Sequence, residues 1–212
     1  MHISDILQVV DQLKSTALPG WDAQSKMSPP QRSTMKDFTE AMRHSAKKAA
    51  VILLCYPDLT GSAHLVLIVR NTYNGVHSAQ IGLPGGRPES QDVDLTSTAL
   101  REMEEEIGFK PSEVRVIRPL SPLYIPPSNF YVQPFLGFTE KVPNFQKDDR
   151  EVAQILECPL DDLIQFQKIL AAVSLPKSDF KEVPMYLWRG HQIWGATAMI
   201  LSELKDLLKQ VV

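Results

Sequence analysis

The chain has 212 residues, which bounds it to one large domain or one domain with additions, long enough to bury a core without disulfides or a structural metal. A formal net charge of -3 gives no global attraction to nucleic acid or an anionic membrane, so a phosphate-bearing ligand must be met by local charge or a bound cation. Two cysteines, Cys55 and Cys158, supply neither a disulfide framework nor zinc spacing, and Cys55 reads as a small core residue in an apolar run. The first residues lack a basic segment leading into a long apolar run, and no stretch approaches the roughly 18 apolar residues of a membrane span. The expectation is a soluble protein of the cytoplasm, a reducing compartment.

Ile3, Ile6, Leu7, Val10 and Leu13 recur at helical spacing and predict one amphipathic helix, stopped by Leu18-Pro19-Gly20. Residues 21–32 are polar, contain Pro29-Pro30 and read as a connector. A second helix is expected over much of 34–48. Residues 1–48 thus form an N-terminal helical extension on a main domain of 49–212. Covering the core, forming a dimer contact and lidding a pocket are all open roles for it, and a homodimer is left open with them. The pattern then changes to short Val, Ile and Leu runs at 49–56 and 64–70, which predict two strands and a hairpin. A polar loop at 71–79 precedes a short extended piece, 80–83, that enters Pro84-Gly85-Gly86. A helix is expected from Asp94 to Ile107, ended by Gly108. Strands are expected at 113–117, 120–125, 131–139 and 151–157, and a short helix at 160–166. A small hairpin should turn at Arg189-Gly190. The final helix, 196–211, places Thr197, Leu201, Leu204, Leu208 and Val211 on one stripe. Mixed strands with helices before, within and after them predict an α/β sandwich.

The helix at 94–107 carries the chemistry. At about 100° per residue, Glu105 and Glu106 fall roughly 60° and 40° to either side of Glu102, so three carboxylates share one face. Thr96, Leu100, Met103 and Ile107 cluster on another face, directed to the core, and Glu104 points away from both. Like charges at these spacings repel by about 0.2–0.5 kcal/mol per pair, and the helix C-terminus disfavours anions. A solvated acidic face is the ordinary reading of such a run. Two neighbours argue for a cation instead. Arg101 adjoins the cluster and can hold a carboxylate bidentately, and Gly85-Gly86 lets backbone pass close to a ligand. Hard oxygen donors favour Mg²⁺, Mn²⁺ or Ca²⁺.

Gly86, Asp92, Arg101, Glu102, Glu105, Glu106 and Gly108 together resemble the signature of the Nudix hydrolase family. The chain departs from the common form in having Asp92 where Glu is usual and one more residue between it and Arg101. That lengthening is a feature of the coenzyme A-directed branch. Gln80-Ile81-Gly82-Leu83-Pro84-Gly85-Gly86, Thr98-Ala99-Leu100-Arg101-Glu102 and Tyr124-Ile125-Pro126-Pro127-Ser128-Asn129 are similar to segments of that branch. Its signature usually carries a basic residue two positions before His77, where this chain has Gly75. The resemblance covers roughly residues 50–163, with a weaker likeness at Trp194-Gly195-Ala196-Thr197-Ala198.

The resemblance implies a Nudix-type α/β/α sandwich with a mixed sheet. It implies Mg²⁺- or Mn²⁺-dependent hydrolysis of a small, nucleotide-derived substrate, coenzyme A or its acyl form, to 3′,5′-ADP and 4′-phosphopantetheine. Glu102, Glu105 and Glu106 would be metal ligands with the carbonyl of Gly86, and Glu151 either the acid drawn from a later loop or, as ordinary charge patterning allows, a surface acid near Lys147 and Arg150. Arg101 would orient Glu102, Asp92 would pair with Arg101 or brace the loop, and Glu102 would help deprotonate the attacking water. Arg70 and His77 are candidates for phosphate contact and Tyr124 for stacking on adenine. Arg70 as a solvated edge charge, His77 as a local hydrogen-bond former and Tyr124 as core are the structural alternatives. ADP-ribose or another dinucleotide is the alternative substrate. A catalytically silent nucleotide-binding module is the alternative class, but such a module is expected to lose acids that are all present here.

Overall fold

The computed structural model describes residues 1–29, 45–71, 80–175 and 178–212. Its main sheet begins with β1 (Lys47–Pro57) and β2 (Ala63–Arg70), the antiparallel pair expected from their apolar runs. Two short strands follow, β3 (Ile81–Gly82) against β2 and β4 (Gly85–Gly86) against β1. β5 (Arg115–Pro119) and β6 (Leu123–Ile125) lie antiparallel to β7 (Phe130–Phe138). β8 (Val152–Pro159) closes on β2. β7 runs parallel to β1 over its whole length, which makes the sheet mixed.

Alternation along the central strands builds two cores. Ala50, Ile52, Leu54 and Tyr56 of β1 face one side with Val66 and Ile68 of β2, where Ala99, Met103 and Ile107 pack on them. Those three residues belong to the acidic helix, Leu95–Ile107. Leu53 and Cys55, with Leu65 and Leu67, face the other side, against Leu201, Leu204 and Leu208 of the last helix, Gly195–Val211. The result is helix, sheet, helix, as expected of an α/β/α sandwich. No helix among the described residues is long and apolar enough to cross a membrane.

Several sequence expectations are corrected. The first amphipathic stretch is not one helix but two, α1 (Ile3–Gln8) and α2 (Val10–Ser15), broken at Val9. Ile3, Ile6, Val10 and Leu13 still reach the same core. Part of the connector forms α3 (Gly20–Gln24) and a 3-10 turn, Ser25–Met27. Of the second helix, expected over much of 34–48, the last two positions are strand: Lys47 donates its N–H to the Asn129 carbonyl and opens the β1–β7 pairing. Residues 30–44, most of that expected helix, lie outside the described residues, as do 72–79 of the polar loop. Beyond α5 (Leu160–Gln165), β9 (Lys168–Leu175) was not anticipated; it joins β10 (Ser178–Trp188) and β11 (His191–Trp194) in a second, three-stranded sheet. Numbering in chain order makes the acidic helix α4 and the last helix α6.

Helix α6 is buried over more than one stripe: Ser202 and Glu203 are enclosed, while Thr197 and Val211 are only partly so. The reason is the N-terminal segment, which covers its outer side. Ser202 donates to the Ala23 carbonyl, and Gln24 Nε2 donates to Glu203 Oε2 at 2.9 Å and to the Ser121 carbonyl at 3.0 Å. Glu203 Oε1 accepts from the Ser121 N–H at 3.2 Å. A buried carboxylate that loses a donor keeps its desolvation cost. Gln24→Ala is therefore expected to destabilise by about 1–3 kcal/mol, read as a lower urea midpoint.

Candidate active site

Helix α4 is set by its ends. Asp94 accepts from the Ser97 N–H while Ser97 Oγ accepts from the Asp94 N–H, a reciprocal capping box. Gly108, at φ 68°, closes the other end in the left-handed conformation and donates to the Glu104 carbonyl. The packing of Ala99, Met103 and Ile107 against β1 then fixes the rotation of the helix. That rotation grades the three glutamates instead of leaving them on one equally wet face. Glu105 is 56% exposed and Glu102 15%, while Glu106 is 1% exposed, enclosed on the core side. Thr98, rather than Thr96, is the buried threonine of the helix, and Leu100 is only partly enclosed.

Arg101 is the hub. Its Nε and Nη2 each lie 3.0 Å from an oxygen of Asp92, a bidentate clasp across the loop–helix junction. Nη2 also donates to Glu102 Oε1 at 3.1 Å and to the Arg87 carbonyl at 2.9 Å, and Nη1 donates to Glu105 Oε2 at 2.8 Å. Thr98 Oγ1 adds a hydrogen bond to Asp92. The guanidinium holds the Asp92 carboxyl down at about 2, and Asp92 and the neighbouring glutamates raise Arg101 in turn.

The glycine loop meets these acids through backbone. Gly85 N–H donates to Glu106 Oε2 at 2.8 Å. Arg70, at the end of β2, reaches Glu106 Oε1 at 3.3 Å and donates to the Gly85 carbonyl at 2.9 Å. Burial nevertheless pushes the Glu106 carboxyl up to about 7, against the opposing pull of Arg70 and the Gly85 N–H. Burial also raises Glu102, and Glu151 adds to the raising of both. Glu151 itself is exposed, and its carbonyl accepts from the Asn71 N–H.

Gly85 sits at φ 147°, and a Cβ there would lie 2.2 Å from the Ala50 carbonyl oxygen. A Cβ on Gly86 would lie 2.3 Å from Glu102 Cδ, so only glycine leaves that carboxylate its place. Gly86→Ala is expected to displace Glu102 and to lower turnover by at least about 100-fold, at the upper end of the range for a disturbed ligand shell, with the far-UV spectrum of the fold kept. Full activity in that variant would show that Glu102 is not needed where it lies.

The structure thus gathers Gly86, Arg101, Glu102, Glu105, Glu106 and Arg70, with Glu151 close enough to act on two of them by charge. Tyr124 pairs with Tyr131 across β6 and β7 and donates to Asn129 Oδ1 at 3.0 Å. His77 lies outside the described residues. Sequence reasoning missed the Arg70–Glu106 contact and the two backbone contacts, Arg87 carbonyl to Arg101 and Gly85 N–H to Glu106. The paired glycines were the only signal for the latter.

Hard oxygen donors suit a divalent cation, and burial leaves Glu102 and Glu106 as desolvated acids that such a cation would stabilise. Among the described residues no three acids converge on coordinating geometry as they stand, because Arg101 engages Glu102 and Glu105 while Arg70 engages Glu106.

The NUDIX domain model matches residues 46–177. An uncharacterized Nudix hydrolase NudL of Pectobacterium atrosepticum is 31% identical over 163 residues, covering 76% of this chain and 82% of that protein. Its counterpart from Yersinia pestis is 30% identical over 178 residues, covering 82% and 86%. The crystal structure of RenU, a Nudix hydrolase from M. smegmatis, has a TM-score of 0.55 at 15% identity over 79% of this chain and 88% of its own, a likeness of fold.

Proposed function

This chain belongs to the Nudix hydrolase family, whose members act on diphosphate linkages, and we propose that it hydrolyses coenzyme A or acyl-coenzyme A with Mg²⁺ or Mn²⁺. The observation that carries the hydrolytic reading is the Arg101 hub, which joins Asp92, Glu102, Glu105 and the Arg87 carbonyl into one preset array. Coenzyme A is favoured by the branch-like segment at residues 80–86, which forms β3 and β4 and ends against Glu102 and Glu106.

In the reaction, water attacks a phosphorus of the anhydride, the bridging P–O bond breaks, and 3′,5′-ADP and 4′-phosphopantetheine leave. A bound divalent cation would supply neutralisation of phosphate oxygens and polarisation of the bond being broken. Glu102, Glu105, Glu106 and the Gly86 carbonyl would hold it, with Glu151 as a further acid from outside the helix. Glu102 takes the proton of the attacking water. Arg101 holds Glu102 in register, and Asp92 holds Arg101. The contact of Arg70 with Glu106 favours a positioning role over a direct phosphate contact. His77 and Tyr124 take the phosphate and adenine contacts that the branch resemblance implies.

One panel tests the reading: coenzyme A, acyl-coenzyme A, ADP-ribose, NADH and diadenosine polyphosphates, each with Mg²⁺, Mn²⁺ or excess EDTA. Coenzyme A or its acyl form is expected to show the highest kcat/KM, and EDTA to abolish turnover of every substrate. Undiminished turnover in EDTA would falsify the carboxylate–metal mechanism, and a higher kcat/KM for ADP-ribose would replace the substrate.

A further inference from the structure

We propose that Lys47, Phe130 and Arg87 form a subsite for a phosphate monoester on the ribose of the substrate, beside the acids that receive its diphosphate. The inference rests on the coenzyme A reading and gives it a specificity device. Lys47 opens β1 and Phe130 opens β7, and the parallel register places them side by side. Lys47 Nζ lies 5.9 Å from the centre of the Phe130 ring. Arg87 follows β4, and its guanidinium carbon lies 5.8 Å from the same ring. Both distances are within the roughly 6 Å reach of a cation–π contact, which steadies a cationic head without neutralising it.

These two charges differ from others in the molecule. Arg70, Arg101, Arg150 and Arg189 each lie against a carboxylate. Among the described residues Lys47 and Arg87 have no such partner, and both are exposed. Their place matters as much as their freedom. The Arg87 carbonyl accepts from Arg101, and the preceding residue, Gly86, abuts the Glu102 carboxylate. One residue therefore connects the acidic array to the cationic ring.

An anionic substrate approaching an acid-rich site on a chain of net charge -3 needs such a local counter-charge. A phosphate on the ribose is separated from the diphosphate only by the sugar, which suits cations one residue away from the acids. Arginine offers a planar fork to phosphate oxygens and lysine a point charge.

The test uses the full chain and needs no turnover. Calorimetry compares 3′,5′-ADP with 5′-AMP, which differ only in the 3′-phosphate. The wild type is expected to bind 3′,5′-ADP at least about 10-fold tighter, the scale of one charged hydrogen bond. Lys47→Gln with Arg87→Gln is expected to bring the two ligands within about twofold of each other, while Arg87→Lys alone retains part of the preference. The kcat/KM preference for coenzyme A over dephospho-coenzyme A should collapse in the same double variant. Melting curves confirm that each variant is folded. A wild type without preference, or a double variant that keeps it, overturns the subsite. A wild type that fails to hydrolyse coenzyme A yet shows the preference, lost in the double variant, overturns the substrate and leaves the subsite standing.

Discussion

Replacing Glu105 and Glu106 together by Gln is expected to lower kcat by more than about 100-fold, beyond the cost of losing a residue behind a ligand. It should also remove most of the melting-temperature rise produced by Mg²⁺ or Mn²⁺. At about a hundred times its Kd a ligand of the folded state adds about 2.7 kcal/mol, which for a chain of this size is roughly 5–10 °C. Gln keeps the shape of each side chain and the acceptor for the Gly85 N–H, so the change tests charge. The sign without metal follows from burial. The Glu106 carboxyl is raised from 4.5 to about 7 in the folded chain. Its contribution to stability is fully present below about 4.5 and is lost as pH rises through about 7. In EDTA the wild-type melting temperature should therefore fall across that window, and the variant should fall less. Above it the metal-free variant should be at least as stable as the wild type. A solvated acidic face predicts little change in activity or in metal response. Retention of the full metal-induced shift would remove these glutamates from the ligand set, and a clearly less stable metal-free variant would show that the Arg70 contact outweighs desolvation.

Arg101→Met should have the other large effect, because it strips one cation from four carboxylates at once, Glu89, Asp92, Glu102 and Glu105. The Arg101 side chain is 15% exposed and that of Asp92 only 4%, so Asp92 would remain as an enclosed acid without its counter-charge. Breaking such a pair on one side costs about 3–5 kcal/mol. Turnover should fall with it by at least about 10–100-fold, since Glu102 loses the group that orients it. Arg101→Lys separates charge from geometry. A single ammonium cannot reproduce the bidentate clasp on Asp92 together with the contacts to Glu102, Glu105 and the Arg87 carbonyl. Thermal melts should show Lys recovering part of the stability, while kcat stays close to that of Arg101→Met. Equal kcat for Arg101→Lys and the wild type would reduce Arg101 to a counter-charge.

Much of the acidic helix was legible from residue order. A period of 3.6 residues places Glu102, Glu105 and Glu106 near one another whatever the rest of the chain does, and Asp94 and Gly108 mark its ends by backbone chemistry that is local. The pairing of β1 with β2 was equally readable, since two apolar runs with a short polar turn between them have few other partners. The same local logic failed where a segment's state depends on distant neighbours. Periodicity alone ran the first helix through Val9. The β9 strand had no recognised sequence signal, and its state is set by pairing with β10.

By itself, then, the sequence determined which residues are chemically competent: Arg101, three glutamates on one helix, a glycine pair before them, and through these the family. The tertiary structure decided how they differ. Sheet packing buried Glu106 and left Glu105 in water, the end of β2 delivered Arg70 to Glu106, and the parallel pairing of β1 with β7 brought Lys47 and Phe130 to Arg87. The physical reason is range: helical periodicity and capping act within a few residues, whereas burial and charge pairing depend on which distant segments come to share a surface.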